Sequence, residues 1–326
     1  MKYKILELLK TSGTFVSGEE IGKTFNISRS AVWKNILKLK ELGYDITSVT
    51  KKGYCLNMTA DVLNDYEIKT SLCSEIFGKN FLYLRETDST NEEAKRQAQK
   101  EVPEGFLVIA ENQTKGKGRL GNSWAPSINF PLTFSIILRP ALIPADITSL
   151  TLITGLSVCK AFRDINIPAY VKWPNDIIIN GKKAVGILTE LSCEIEKINY
   201  VVIGIGVNIN EASFDGELKE KATSLFMETG KHFKRLEILN IILKKLEENY
   251  YKFTKSENFS EFAQEYESLC LNIGKNVKAV SKTKNISGIV TGISEKGELI
   301  IKNPENSEIS VVSGEFSVRL HNGRYI

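Results

Sequence analysis

Lys172-Trp173-Pro174-Asn175-Asp176-Ile177-Ile178-Ile179-Asn180-Gly181-Lys182-Lys183-Ala184-Val185-Gly186-Ile187-Leu188 is the stretch on which the fold turns. Ile177 to Ile179 reads as an apolar strand, Asn180-Gly181 as a type I′ turn, and Ala184 to Leu188 as the return strand of a β-hairpin. Lys172 and Lys183 stand eleven residues apart on this hairpin, with Asp176 between them. A lysine facing a core is costly unless it meets an anion. The stretch therefore reads as one wall of a pocket for a phosphate or carboxylate. Two edge lysines beside a solvent-facing aspartate are the other reading.

Upstream lies a second basic element, Gln113-Thr114-Lys115-Gly116-Lys117-Gly118-Arg119-Leu120-Gly121, after an expected strand from Phe106 to Ala110. Its three glycines free the backbone to curl around a ligand, and Lys115, Lys117 and Arg119 supply charge. By composition this is a phosphate cradle; a basic surface loop is the plainer reading. It also spells G-x-G-x-x-G, but that dinucleotide fingerprint needs a helix at the loop and an acidic residue about 20 positions on. The chain runs instead into Asn122-Ser123-Trp124-Ala125-Pro126-Ser127, and later reads Leu138-Arg139-Pro140-Ala141.

Charge is uneven. Residues 1–60 hold 10 Lys and Arg against 5 Asp and Glu, and the rest of the chain holds 33 against 34. The basic excess sits where an anionic partner such as DNA would dock. Within it, Ile5, Leu6, Leu8 and Leu9 mark a first short helix, and Ser17-Gly18-Glu19-Glu20 caps a second. Ser28 caps a third helix that stops at Gly43, with Val32, Ile36 and Leu39 on its buried face. Ser30, Lys34 and Lys38 share another face, and Arg29 and Trp33 flank the first turn. A hairpin around Thr50-Lys51-Lys52 follows. Three helices and a basic hairpin predict a winged helix-turn-helix over 1–60, touching DNA through Ser28, Arg29, Ser30, Trp33, Lys34, Lys38, Lys51 and Lys52. A helical protein–protein module is the alternative.

After a short polar linker at 57–65, strands are expected at 81–85, 106–110, 132–138, 171–172, 177–180, 184–190 and 200–208, and helices at 90–101, 146–164, 234–255 and 258–271. Hairpins among these strands favour a mixed sheet with helices on one side over a doubly wound parallel sheet. From Ile273 four short strands predict a small SH3-like β-barrel. The 326 residues suffice for two or three domains. No 18-residue apolar run and no signal-peptide core are evident, so no membrane span is expected. Five scattered cysteines without a C-x-x-C pair suit a reducing cytoplasm, and two histidines, His232 and His321, leave little room for histidine chemistry.

Asp88-Ser89-Thr90-Asn91, the Gly116 to Gly121 loop with Trp124, Lys172 to Asp176, Lys183 with Gly186, and Gly204-Ile205-Gly206-Val207-Asn208 together resemble the biotin protein ligases, in family order over nearly the whole chain. The resemblance is to the bifunctional kind that also represses a biotin operon. It implies an α/β multi-domain protein: a winged helix-turn-helix at 1–60, a mixed-sheet catalytic domain at 66–272 and an SH3-like domain at 273–326. It implies that biotin and ATP form biotinyl-5′-adenylate, and that biotin then passes to a lysine of a biotin carboxyl carrier protein. Lys183, Arg119, Lys172 and Asp176 take the catalytic positions in this scheme. Ser89, Thr90, Asn91, Gln113, Lys117, Gly118, Arg119, Lys183, Gly204 and Gly206 would hold biotin. Lys117, Arg119, Trp124, Lys172, Asn175 and Asn208 would hold ATP or the adenylate, and Asp176 and Asn208 would hold Mg²⁺. Operator DNA, the carrier protein and a second copy of the chain in the adenylate-bound state are the implied partners, and the cytoplasm the implied location. The family usually carries arginine where Lys117 stands, and often where Leu120 stands. Lys117 keeps the charge but not the bidentate geometry. A non-catalytic sensor repressor and a lipoate-type acyl ligase are the competing readings. Asp88-Ser89-Thr90-Asn91 is also expected to form the N-cap of the helix after it, and Trp173 to be a core residue.

Overall fold

Ser17 accepts a hydrogen bond from the Glu20 amide (3.1 Å) and Ser28 one from the Ala31 amide (3.2 Å), so each serine starts a helix as expected. The computed structural model describes residues 1–57, 60–124, 131–194, 197–281, 284–314 and 316–320. Ala125 to Ser127 and His321 lie outside them. The first unit, Met1–Ser71, contains α1 (Lys2–Ser12), α2 (Gly18–Phe25), α3 (Arg29–Glu41), the antiparallel hairpin of β1 (Ile46–Val49) and β2 (Gly53–Leu56), and α4 (Asp65–Ser71). Ile5, Leu9, Ile21, Val32, Ile36 and Leu39 form its core.

This unit runs past residue 60. The stretch expected to be a linker leads into α4, whose Ile68 is fully buried and whose Glu67 accepts from Lys10 Nζ (2.9 Å) and Tyr44 Oη (2.7 Å). Tyr66 stacks on Tyr3 with ring centroids 3.9 Å apart. These contacts join residues some sixty positions apart, so local sequence reading misses them.

The second unit, Leu72–Ile326, begins with β3 (Phe81–Thr87), α5 (Thr90–Ala98), β4 (Phe106–Gln113), β5 (Leu132–Leu138) and α6 (Ile147–Asp164). It continues through β6 (Ala169–Lys172), β7 (Asp176–Ile179), β8 (Lys182–Glu194), β9 (Lys197–Val207), α7 (Leu218–Lys221), α8 (Leu225–Thr229), α9 (Arg235–Ser256) and α10 (Ser260–Leu269). Seven strands form one sheet in the order β3-β4-β5-β9-β8-β7-β6, with β3 and β4 parallel and the other pairs antiparallel. The mixed sheet is as expected; the placement of helices on one side is not. Thr151 of α6 bonds Thr189 of β8 (2.8 Å), while Asn91 of α5 bonds the adjacent Glu190 (2.8 Å). Neighbouring residues of a strand point to opposite faces, so α5 and α6 cover opposite sides of the sheet. By length and composition α6 passes as a membrane span, but residues from Ser149 to Phe162 along it are buried against the sheet and α9.

From residue 276 the chain forms β10 (Asn276–Val280), β11 (Asn285–Ile293), β12 (Leu299–Lys302), β13 (Glu308–Val311) and β14 (Ser317–Leu320). They make an antiparallel sheet in the order β13-β12-β11-β10-β14, and no pairing between β13 and β14 closes it among the described residues. The last strand was not expected from sequence. It is only four residues long and is defined by pairing with β10.

Candidate functional site

Asn180 and Gly181 both take positive φ (47° and 80°), the backbone a type I′ turn requires, and they fold β7 onto β8 as expected. Lys172 is paired with Asp176 across the β6–β7 hairpin, and Asp176 with Gly186 across β7–β8. Asp176 Oδ1 lies 2.5 Å from Lys183 Nζ, and Oδ2 lies 3.8 Å from Lys172 Nζ. Lys172 is buried, and burial pushes its pKa down to about 8, Asp176 opposing and Lys183 adding to the fall.

The glycine-rich loop folds back on itself. Gly118 N donates to Asn122 O (2.7 Å) and Trp124 N to Gly116 O (2.9 Å), leaving a single 3₁₀ turn at Arg119–Gly121. Among the described residues no α-helix starts at this loop. Arg119 reaches Asn175 Oδ1 (3.0 Å) and the carbonyls of Ser313 and Phe316 in the C-terminal sheet. Burial works against its charge, and it makes no ion pair among the described residues. Lys117 turns onto Glu92 (2.6 Å).

These elements enclose a cleft in two chambers. The first, about 450 Å³ with its open mouth, is lined by Ser89, Thr90, Asn91, Gln113, Lys117, Gly118, Gly204 and Gly206 among others. The second, about 1190 Å³ on the same measure, is lined by Lys172, Asp176, Lys221, Ser317 and Arg319 among others. Gly118, Arg119, Trp124, Asn175 and Lys183 line both and form the partition.

Ser89 holds the N-cap position of α5, but its hydroxyl makes no capping bond. The helix thus starts in the stretch expected to cap it, and the buried Ser89 side chain lines the first chamber. Asp88 is occupied by the Ser89 amide (2.7 Å) and by Arg96 (2.7 Å), whose guanidinium holds its carboxyl well below the usual range. Gln113 Oε1 accepts from Thr90 N (2.7 Å) and Thr90 Oγ1 (3.1 Å).

The glycines of β8 and β9 serve neighbouring side chains directly. A Cβ on Gly204 would meet Asn91 Oδ1 at 2.0 Å; one on Gly206 or Gly186 would meet the Trp124 indole at 2.6 Å. Gly186 and Gly206 are cross-strand partners, so together they make a flat floor under Trp124. The indole Nε1 has no hydrogen-bond partner among the described residues. Trp173 is a core residue as expected, its Nε1 on Gly297 O (3.1 Å).

Asn208 lines neither chamber; its Nδ2 donates to Thr223 O (3.0 Å). Asp176 is therefore the member of the proposed metal pair that lines the cleft, and no cluster of three His, Cys, Asp or Glu occurs among the described residues. Arg319, Lys221 and Ser135 were missed by sequence reasoning. Nothing near Arg319 marks it until β14 pairs with β10 and brings it to the second chamber.

In the first unit Ser28, Arg29, Ser30, Trp33, Lys34, Lys38, Lys51 and Lys52 are all exposed. Trp33, at 52 % exposure, is an unusual side chain to leave in water and fits a contact surface.

Residues 83–208 match the Biotin/lipoate A/B protein ligase family, residues 2–55 an HTH domain, and residues 273–319 the Biotin protein ligase C terminal domain. The chain is 35 % identical over 309 residues to the bifunctional ligase/repressor BirA of Bacillus subtilis, covering 94 % of this chain and 95 % of that one. It is 30 % identical over 319 residues to BirA of Escherichia coli, covering 96 % and 97 %. The solved biotin protein ligase of Aquifex aeolicus, in complex with biotin and ATP, superposes with a TM-score of 0.65 at 38 % identity, covering 74 % of this chain and 99 % of that one.

Proposed function

Because the chain belongs to the biotin protein ligase family, with the domain set of its bifunctional ligase/repressors, we propose that its cleft joins biotin to AMP and passes the biotinyl group to a carrier protein. The observation that carries this reading is the shared wall. A carboxylate entering from the first chamber and an α-phosphate from the second meet at Arg119 and Lys183. The carboxylate oxygen bonds to the α-phosphorus as the bond to pyrophosphate breaks. Two cations at the meeting point reduce the repulsion between the anions and stabilise the charge gathering in the transition state. In the second step a carrier lysine attacks the acyl carbon, AMP leaves and the amine loses a proton.

Ser89, Thr90, Asn91 and Gln113 are uncharged polar groups suited to biotin's ureido ring. Lys172, Lys221 and Arg319 give the second chamber a basic lining for the triphosphate, and Trp124 an aromatic wall for adenine. Mg²⁺ would be held through hard oxygen ligands, with Asp176 as the protein ligand at the cleft; Asn208 lines neither chamber. The C-terminal sheet is read as SH3-like, and its role here is to bring Ser313, Phe316 and Arg319 to the cleft. The first unit is read as the operator-binding part of a cytoplasmic repressor. Dimerisation on adenylate binding would use the outer edge of β8. Beyond Gly186 that strand leaves β7, while β9 is paired on both sides from Val201 to Val207.

Biotin-dependent ATP–pyrophosphate exchange tests the reading. Lys183→Ala should lower the rate about 10²–10³-fold with the fold intact, as for loss of one transition-state contact. Exchange driven by lipoate and not biotin would favour the lipoate-type ligase, and absence of exchange a sensor without catalysis.

A further inference from the structure

We propose that Glu190, which lines neither chamber, is a positioning residue that sets the donor–acceptor polarity of the first chamber by orienting the Asn91 amide. The proposal rests on biotin's ring system occupying that chamber.

Asn91 is 3 % exposed and pressed against Gly204. Its Nδ2 faces Glu190 Oε2 (2.8 Å) and Leu188 O (3.3 Å), both groups that can only accept. The NH₂ end must therefore point there, and Oδ1 must point to the fully buried Ser135 hydroxyl, 2.6 Å away. Ser135 has one hydrogen, and an amide oxygen can only accept it, so that hydrogen is committed to Asn91. The Thr90 hydroxyl, 2.8 Å from Ser135 Oγ, then faces an oxygen whose proton is already used. The Thr90 backbone N–H donates to Gln113 Oε1 (2.7 Å), which leaves the Gln113 NH₂ end as a donor toward Gly116 and the cavity.

Glu190 thus starts a chain of committed hydrogens, Glu190–Asn91–Ser135–Thr90, whose Asn91 and Thr90 members line the chamber. A cyclic urea offers both N–H donors and a carbonyl acceptor, so its recognition depends on which way each amide is turned. Glu190 is itself held by Lys95 (2.6 Å), which also holds Glu92 (2.9 Å). Without Glu190 the Asn91 amide loses the strongest of the acceptors that fix its orientation.

The test is steady-state exchange on the full chain, reading KM for biotin, KM for ATP and kcat separately. Glu190→Leu should raise the biotin KM about tenfold, the order expected for one lost charge-assisted hydrogen bond, with the ATP KM unchanged. Glu190→Gln keeps an acceptor for Asn91 and should recover most of the loss. Lys95→Met leaves Glu190 in place but untethered and should give a smaller rise of the same sign; it is the deciding variant if Glu190→Leu does not fold. Asn91→Ala separates the two layers of the argument. If it leaves the biotin KM unchanged, biotin does not occupy this chamber. If it raises the biotin KM while the Glu190 and Lys95 variants do not, or if those variants raise the ATP KM equally, the positioning role is overturned.

Discussion

Lys172 illustrates how one residue carries both the fold's cost and the site's chemistry. Its burial beside Lys183 favours the neutral amine, and Asp176 only partly offsets this. The folded pKa of about 8 lies below the ordinary 10.5, so the folded chain releases this proton first as pH rises. The charging penalty is fully present below the folded value, and this group's contribution to stability rises with pH between the two values. Anion binding has the opposite sign, because only the charged amine attracts phosphate. The ATP KM should therefore rise as pH goes from 7 through 9, and Lys172→Arg, whose charge does not titrate there, should flatten that rise. An identical pH profile in a folded Lys172→Arg protein would falsify the assignment of this residue to the phosphates.

At the scale of elements, the β8–β9 pair works as a floor. Strands that elsewhere carry Val and Ile carry Gly186, Gly204 and Gly206 where Asn91 and Trp124 lie flat on the sheet. Gly206→Ala would push the indole off that floor, since its added Cβ would sit within 2.6 Å of the ring. Overpacking of this kind costs roughly 1–3 kcal/mol of stability. Because Trp124 is part of the partition, both the biotin KM and the ATP KM should rise, unlike the selective effect of the Glu190 variants. Unchanged KM values and an unshifted tryptophan emission in Gly206→Ala would show that the indole's resting place is unimportant.

At the scale of the whole molecule, two compact units divide the work. Removing residues 1–71 should abolish DNA binding and leave biotin-dependent exchange within a few-fold, measured by a mobility shift and by the exchange assay. A cut at residue 60 is the poorer experiment, because it strands α4 without the core that Ile68 and Tyr66 join. Exchange lost from a well-folded truncation would show that catalysis needs the first unit. Tight operator binding by a winged helix favours a two-fold dimer, since one copy meets one half-site. Biotin with ATP should therefore drive dimerisation through the β8 edge, a coupling typically of about 1–3 kcal/mol. Leu191→Asp, at an exposed position on that edge, should keep the protein monomeric in sedimentation while exchange persists; a dimer of normal strength would move the interface elsewhere.

The helix starts at Ser17 and Ser28, the Asn180-Gly181 turn, the basic loop and the lysine-bearing hairpin were all legible in the sequence. Each depends on residues within a few positions of one another: a side-chain cap, a pair of positive φ values, an alternation of apolar residues. So was the charge split at residue 60, which needs only counting. What lay beyond local reading depends on pairing between distant segments. The stretch Asp88 to Asn91 was expected to cap a helix and does so, but only the tertiary fold shows that Ser89 makes no side-chain capping bond and lines the first chamber. The glycines of β9 line the first chamber, and the sequence did not show that Asn91 and Trp124 lie directly against them. Asn208 belongs to the family-like motif but is drawn onto Thr223, whereas Arg319 belongs to no motif and reaches the cleft through the pairing of β14 with β10. Residue types and short-range spacing determined the chemistry available to this chain; the packing of α5 and Trp124 on one face of β8 and β9, and the reach of Arg119 to the C-terminal sheet, decided which residues share a cavity, because adjacency there is set by strand register and not by distance along the chain.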